Sequence, residues 1–235
     1  MWYSRMLSAA LLVAGVAFSQ PNATVDSPFQ VRYASNLNIG DSFITITNSG
    51  TRGAGLVSGT SASTTGAICV NVYEFSADEQ LVACCSCPVT PNGLVSFSAR
   101  NDLIVNTLTM PIPTSIVIKL YASVPVAGSC NGSAASPGPG TSGMLAWGTT
   151  VHAAATAGNY FGAETPFLPA TLSAGELTRL TQLCNFVLTY GSGFGICRSC
   201  RVGGLGANRA AAVREPLYFR RHSSQGQIRR KWSQE

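Results

Sequence analysis

The sequence predicts a mainly β protein: an antiparallel β-sandwich carrying one C-terminal amphipathic helix and stapled by disulfides. Three observations predict it. Only 11% of residues are charged, in a chain rich in Gly, Ser, Thr and Ala. Short β-branched segments recur between turn residues, and eight cysteines follow an apolar leader.

The leader is read first. Arg5 supplies a positive start, Met6 to Phe18 is an uncharged apolar run, and Ala17-Phe18-Ser19 supplies small residues at −3 and −1 before Gln20. This is the layout of a secretory signal peptide over residues 1–19. The run is too short for a spanning helix of about 20 apolar residues. The sequence therefore predicts a secreted or cell-surface protein with no membrane span after cleavage. Roughly 215 residues then suffice for one core, read as a single domain over 20–206.

Within it, strands are expected at Phe29–Tyr33 and Ser42–Asn48, and a loop over 50–66. Ala67–Phe75 and Gln80–Cys87 form a hairpin around Ser76–Glu79. Pro91-Asn92-Gly93 turns the chain into strands at Leu94–Ser98 and Leu103–Leu108. Ser115–Ala122 is nearly continuously apolar, which predicts a central strand. A Pro/Gly/Ser loop spans 124–143, and Leu145–His152 returns to a strand pattern.

The helix is expected over about 174–190. Ser173 and Glu176 have capping-box spacing, and Leu177, Leu180, Cys184, Val187 and Leu188 share one face, with Gly191 as the stop. It should carry Cys184 inward. No internal repeat is visible.

The net charge of +5 belongs to a basic tail over 207–235, read as a disordered extension or an anionic-surface anchor. Residues 20–206 hold seven basic groups and eight acidic ones, so the domain itself is not read as a nucleic-acid binder.

The cysteines are Cys69, Cys84, Cys85, Cys87, Cys130, Cys184, Cys197 and Cys200. An even number in an exported chain predicts disulfides, with connectivity left open. Strand alternation puts Cys85 and Cys87 on one face and Cys84 on the other, so Cys84 and Cys85 should take different partners. Cys69 is placed for a cross-strand bond to the 80–87 strand, and Cys184 for Cys197 or Cys200. Two rivals use the Cys-x-x-Cys pairs Cys84/Cys87 and Cys197/Cys200: a four-thiolate zinc site, or redox exchange. Neither pair reads as preceding a helix, which redox exchange would require.

No catalytic set emerges, and no cofactor is expected. His152 ends a strand without a partner in sequence; a secreted hydrolase would need it beside carboxylates. Glu74, Asp78 and Glu79 read as solvated hairpin acids, at most a weak calcium site. Gly191-Ser192-Gly193-Phe194-Gly195 resembles a phosphate cradle but follows a helix instead of opening one. Asn22 and Asn131 are formal glycosylation sequons.

With those residues laid out, the chain resembles a family of secreted, uncharacterised bacterial proteins of acidobacterial type. The likeness rests on Asn71-Val72-Tyr73, Cys84-Cys85-Ser86-Cys87-Pro88, Asn101-Asp102-Leu103-Ile104, Ala146-Trp147-Gly148, and Gly191-Ser192-Gly193-Phe194-Gly195-Ile196-Cys197-Arg198-Ser199-Cys200. It covers most of 67–206 and implies export and a disulfide-bearing domain, without an activity. The tail departs from it. The resulting expectation is a non-enzymatic extracellular structural or binding protein, whose partner is a second copy or an extracellular polymer or protein.

Overall fold

A computed structural model describes residues 26–54, 65–132 and 137–201. The expected signal peptide, the basic tail, Asn22 and parts of both long loops lie outside them. The strands are β1 (Phe29–Ala34), β2 (Phe43–Asn48), β3 (Ile68–Ser76), β4 (Leu81–Val89), β5 (Leu94–Ser98), β6 (Ile116–Ser123), β7 (Met144–Ala153), β8 (Tyr160–Pro166) and β9 (Leu168–Pro169). They form two sheets ordered β4-β3-β6-β1-β9 and β5-β2-β7-β8, with antiparallel pairing throughout. The helices are α1 (Ala174–Thr189) and the single turn α2 (Arg198–Arg201).

The antiparallel β fold with one docked amphipathic helix is as expected. Alternating side chains from both sheets fill the space between them: Val70 and Val72 of β3, Ile118 and Leu120 of β6, Ile44 and Ile46 of β2, Phe97 of β5 and Met144 of β7. A second core lies on the other face of the five-stranded sheet. There Tyr73, Phe75, Cys84 and Tyr121 pack under Leu180, Cys184 and Val187 of α1. Cover on both faces explains why β3 and β4 are buried along nearly their whole length and not only at alternate residues. The expectation of a central strand at 115–122 holds, since β6 is the middle strand of its sheet.

Helix α1 starts where its sequence says. The Ser173 hydroxyl accepts from the Glu176 amide at 3.1 Å, and Gly191 at φ +85° ends the helix in the left-handed region. The other half of the capping box is absent. The Glu176 carboxylate instead accepts from Lys119 Nζ of β6 at 2.7 Å and lies 3.5 Å from Arg179, tying α1 to the sheet.

One expected strand fails, and two further strands are additions. Leu103–Leu108 is not a strand. Ala99–Leu103 is a π-type turn and Ile104–Asn106 a 3₁₀ turn, because the Ser98 hydroxyl accepts from the Asn101 amide while the Asp102 carboxylate accepts from the Ser98 amide. Strands β8 and β9 were not expected at all. The chain leaves the second sheet at Phe167, whose amide donates to Ala146 O, and immediately joins β1 in the first.

Arg32 of β1 crosses the space between the sheets. Its Nε donates to Thr165 at 3.2 Å, Nη1 to Ser42 at 3.4 Å and Nη2 to Thr150 at 2.8 Å. Burial lowers its pKa, partly offset by the Glu164 charge, but a guanidinium stays cationic. Gly148 lies directly beneath: a Cβ there would meet the Arg32 guanidinium carbon at 2.7 Å. Gly148→Ala is therefore expected to cost about 1–3 kcal/mol as an overpacking substitution, read as a lower urea midpoint. An unchanged midpoint would show that Arg32 can swing clear at no cost.

Candidate functional site

All eight cysteines are bonded in four pairs, and three of those pairs converge on β4. Alternation directs Cys84 to the helix side, where it bonds Cys184 of α1 with Cα atoms 5.6 Å apart. Cys85 and Cys87 point to the other side, where they bond Cys197 (4.9 Å) and Cys200 (5.5 Å). Cys69 bonds Cys130 in the 124–143 loop, with Cα atoms 5.3 Å apart.

The expected split of Cys84 from Cys85 is observed, but two expected partners are corrected. Cys69 makes no bond to β4, because the residue opposite it is Pro88 and Cys87 lies opposite Val70 on the other face. Cys184 does not reach Cys197 or Cys200. It lies over β4, and the intervening glycine run carries the later cysteines away from the helix.

That run explains itself without a phosphate. From Phe194 to Cys197 it lies along the outer edge of β4: the Phe194 amide donates to Cys84 O, the Ser86 amide to Gly195 O, and the Cys197 amide to Ser86 O. Gly193 (φ +67°) passes so close that a Cβ would lie 2.7 Å from Cys84 O, so no other residue fits. The buried Ser192 hydroxyl lies 2.5 Å from Val82 O and 2.7 Å from Asn106 O, fixing the turn that begins the run. At its end, Asp102 accepts from the Ser199 amide and hydroxyl, each at 2.7 Å, which anchors α2.

The rival sulfur chemistries lose their geometry. Cys84 and Cys87 sit on opposite faces of one strand, so the four sulfurs of Cys84, Cys87, Cys197 and Cys200 do not surround one point. Among the described residues no group of three or more metal-ligating side chains assembles. Cys197 does precede a helical turn, contrary to expectation, yet it is fully buried and bonded to Cys85, not to Cys200.

The remaining candidates are scattered. His152 of β7 stacks on Phe161 of β8, ring centroids 5.4 Å apart. Among the described residues the ion pairs are those of Glu176, so His152 has no carboxylate partner. Glu74, Asp78 and Glu79 do not cluster. Asp78 accepts a hydrogen bond from Ser76 at the hairpin tip, whereas Glu74 is fully buried on β3. Among the described residues neither Glu74 oxygen has a hydrogen-bond partner, and burial raises its pKa well above the usual carboxylate range. The sequence groups this residue with the solvated hairpin acids, although alternation puts it on the same face as Val70 and Val72.

A cleft of about 430 Å³ opens where β9 leaves β1, lined by Val31, Arg32, Tyr33, Thr165, Pro166 and Leu168. Its wall is mostly aliphatic and holds no acid–base pair. No helix among the described residues is long and apolar enough to cross a membrane.

No family model and no curated protein matches the chain. Among solved structures, the crystal structure of Thermotoga maritima 1070 is similar at a TM-score of 0.33 and 8% identity, over 60% of this chain and 94% of that one. A likeness that distant carries no argument about fold or function.

Proposed function

We propose that the chain is an exported, non-enzymatic scaffold, an extracellular or cell-surface protein that acts structurally or by binding. The observation that carries this reading is the cross-linking at β4. Three disulfides fasten α1 and the segment ending in α2 to one strand, and a fourth fastens a loop. Such bonds persist in oxidising compartments outside the cytosol. The scattered positions of His152 and the acids support a non-catalytic role. The resemblance to secreted bacterial proteins and the signal-peptide layout of residues 1–19 point to the same compartment.

Mass spectrometry of the native protein, with and without reductant, tests the reading. The expected mature chain begins at Gln20, takes up no alkylating agent until reduced, and then takes up eight equivalents. A chain recovered from the cytosol with most thiols open to alkylation would overturn the proposal.

A further inference from the structure

The two sheets have four edges, and they are not treated alike. The β4 edge is covered by the 194–197 segment, and β9 is two residues long. On β5 the Ser98 amide is occupied by Asp102. The outer edge of β8 carries no partner strand among the described residues, and six of its seven residues are exposed.

The pairing with β7 settles which backbone groups that edge presents. Asn159 O accepts from the Ala154 amide and the Phe167 amide donates to Ala146 O, so odd-numbered residues of β8 direct their amides and carbonyls at β7. In an antiparallel ladder the alternate residues then face away. Tyr160, Gly162 and Glu164 thus offer amide and carbonyl groups outward. A row of this kind is a template for another strand, and proteins ordinarily blunt it with lysines, prolines or bulges. Here Pro166 closes only one end, and Glu164 is the one charge on the strand.

We propose that two copies of the chain pair antiparallel through β8, centred on Gly162, joining their four-stranded sheets into one continuous sheet. The strand's chemistry selects the centre. Centring on Glu164 would set two carboxylates directly opposite each other, which destabilises a strand pair. Centring on Gly162 sets Glu164 opposite Tyr160 of the other copy, twice by symmetry, so that each phenol can donate to a carboxylate. A Cβ at Gly162 would meet nothing within 4 Å, so the outer face at the axis is open to a neighbour. The proposal rests on the scaffold reading and names its partner as a second copy of this chain.

Sedimentation velocity of the exported, disulfide-intact chain over a hundredfold concentration range is expected to show a monomer–dimer equilibrium. Gly162→Pro removes both central amide donors without touching a bond to β7. It is expected to raise the dissociation constant about thirtyfold, the effect of two lost hydrogen bonds. Unchanged circular dichroism and blocked thiols would show that this variant folds. Hydrogen exchange supplies an independent readout. Protection at Tyr160, Gly162 and Glu164 should rise with protein concentration, while Phe161, Ala163 and Thr165 stay protected throughout. A monomer at every concentration would overturn the pairing and leave the scaffold reading intact. A dimer indifferent to Gly162→Pro would also overturn it. So would concentration-independent protection of the three outward amides, since the edge would then be covered by the chain itself.

Discussion

Replacing Cys84 and Cys184 together by alanine is expected to lower the unfolding free energy by about 3 kcal/mol, and removing all three β4 disulfides by about 10. The difference comes from nesting. The residues bonded are 100, 112 and 113 positions apart, but the three loops share their ends. While Cys85–Cys197 remains, Cys84–Cys184 closes only the stretch from Cys184 to Cys197 and the step from Cys84 to Cys85, roughly 14 residues. Cys87–Cys200 closes roughly five residues beyond Cys85–Cys197 and alone is worth about 2 kcal/mol by the same chain-entropy argument. Once the last of the three is gone, a loop of about 100 residues opens in the unfolded chain, worth about 4.7 kcal/mol. The total is comparable with the whole stability of an ordinary domain, so the triple variant should not fold. Urea unfolding of the single, double and triple variants without reductant measures each step. Equal costs for Cys84–Cys184 and Cys87–Cys200, or a folded triple variant, would contradict the nesting.

The same β4 shows how far the sequence could be read. Alternation separates Cys84 from Cys85 and Cys87 because strand side chains have a fixed period, and it needs no knowledge of the fold. The partners were not legible, because they depend on where α1, the glycine run and the 124–143 loop travel in space. Strand β8 left no pattern for a related reason: as an exposed edge it buries neither face, so Tyr160 to Pro166 shows no apolar alternation. At Leu103–Leu108 the apolar residues are real, but the polar caps from Ser98 and Asp102 bend the backbone into helical turns. In the candidate site, the strand pattern places His152 near the end of β7, while the absence of a carboxylate beside it among the described residues appears only after folding. Glu74 reads as a hairpin acid because it stands four and five residues from the turn acids Asp78 and Glu79, and proximity in sequence outweighs the alternation that buries it.

Glu74 also sets the expected response to pH. It lies on β3 opposite Ala83 and Ile118, with its side chain directed into the inter-sheet core and no exposed surface. Burial opposes ionisation and raises its pKa well above the ordinary 4.5. Below pH 4.5 both folded and unfolded chains hold the proton, and the group adds no pH dependence to the balance. As pH rises past 4.5 the unfolded chain releases its proton while the native one keeps it, so the unfolded state gains and stability falls. The decline continues until the native carboxyl itself ionises. Glu74→Leu removes both the carboxyl left without partners and its linkage, and is expected to stabilise the protein at neutral pH by about 2 kcal/mol. Glu74→Gln keeps an uncharged polar group in the core, so it should flatten the pH dependence with less gain in stability. Urea midpoints at several values between pH 4 and 8 separate these contributions. The argument requires the wild-type midpoint to fall across that range and the Leu variant to lie above it at pH 7. A wild type that grows more stable toward pH 8, or a Leu variant with the same slope, would mean that this carboxylate has found a cation or a hydrogen-bonding partner when folded.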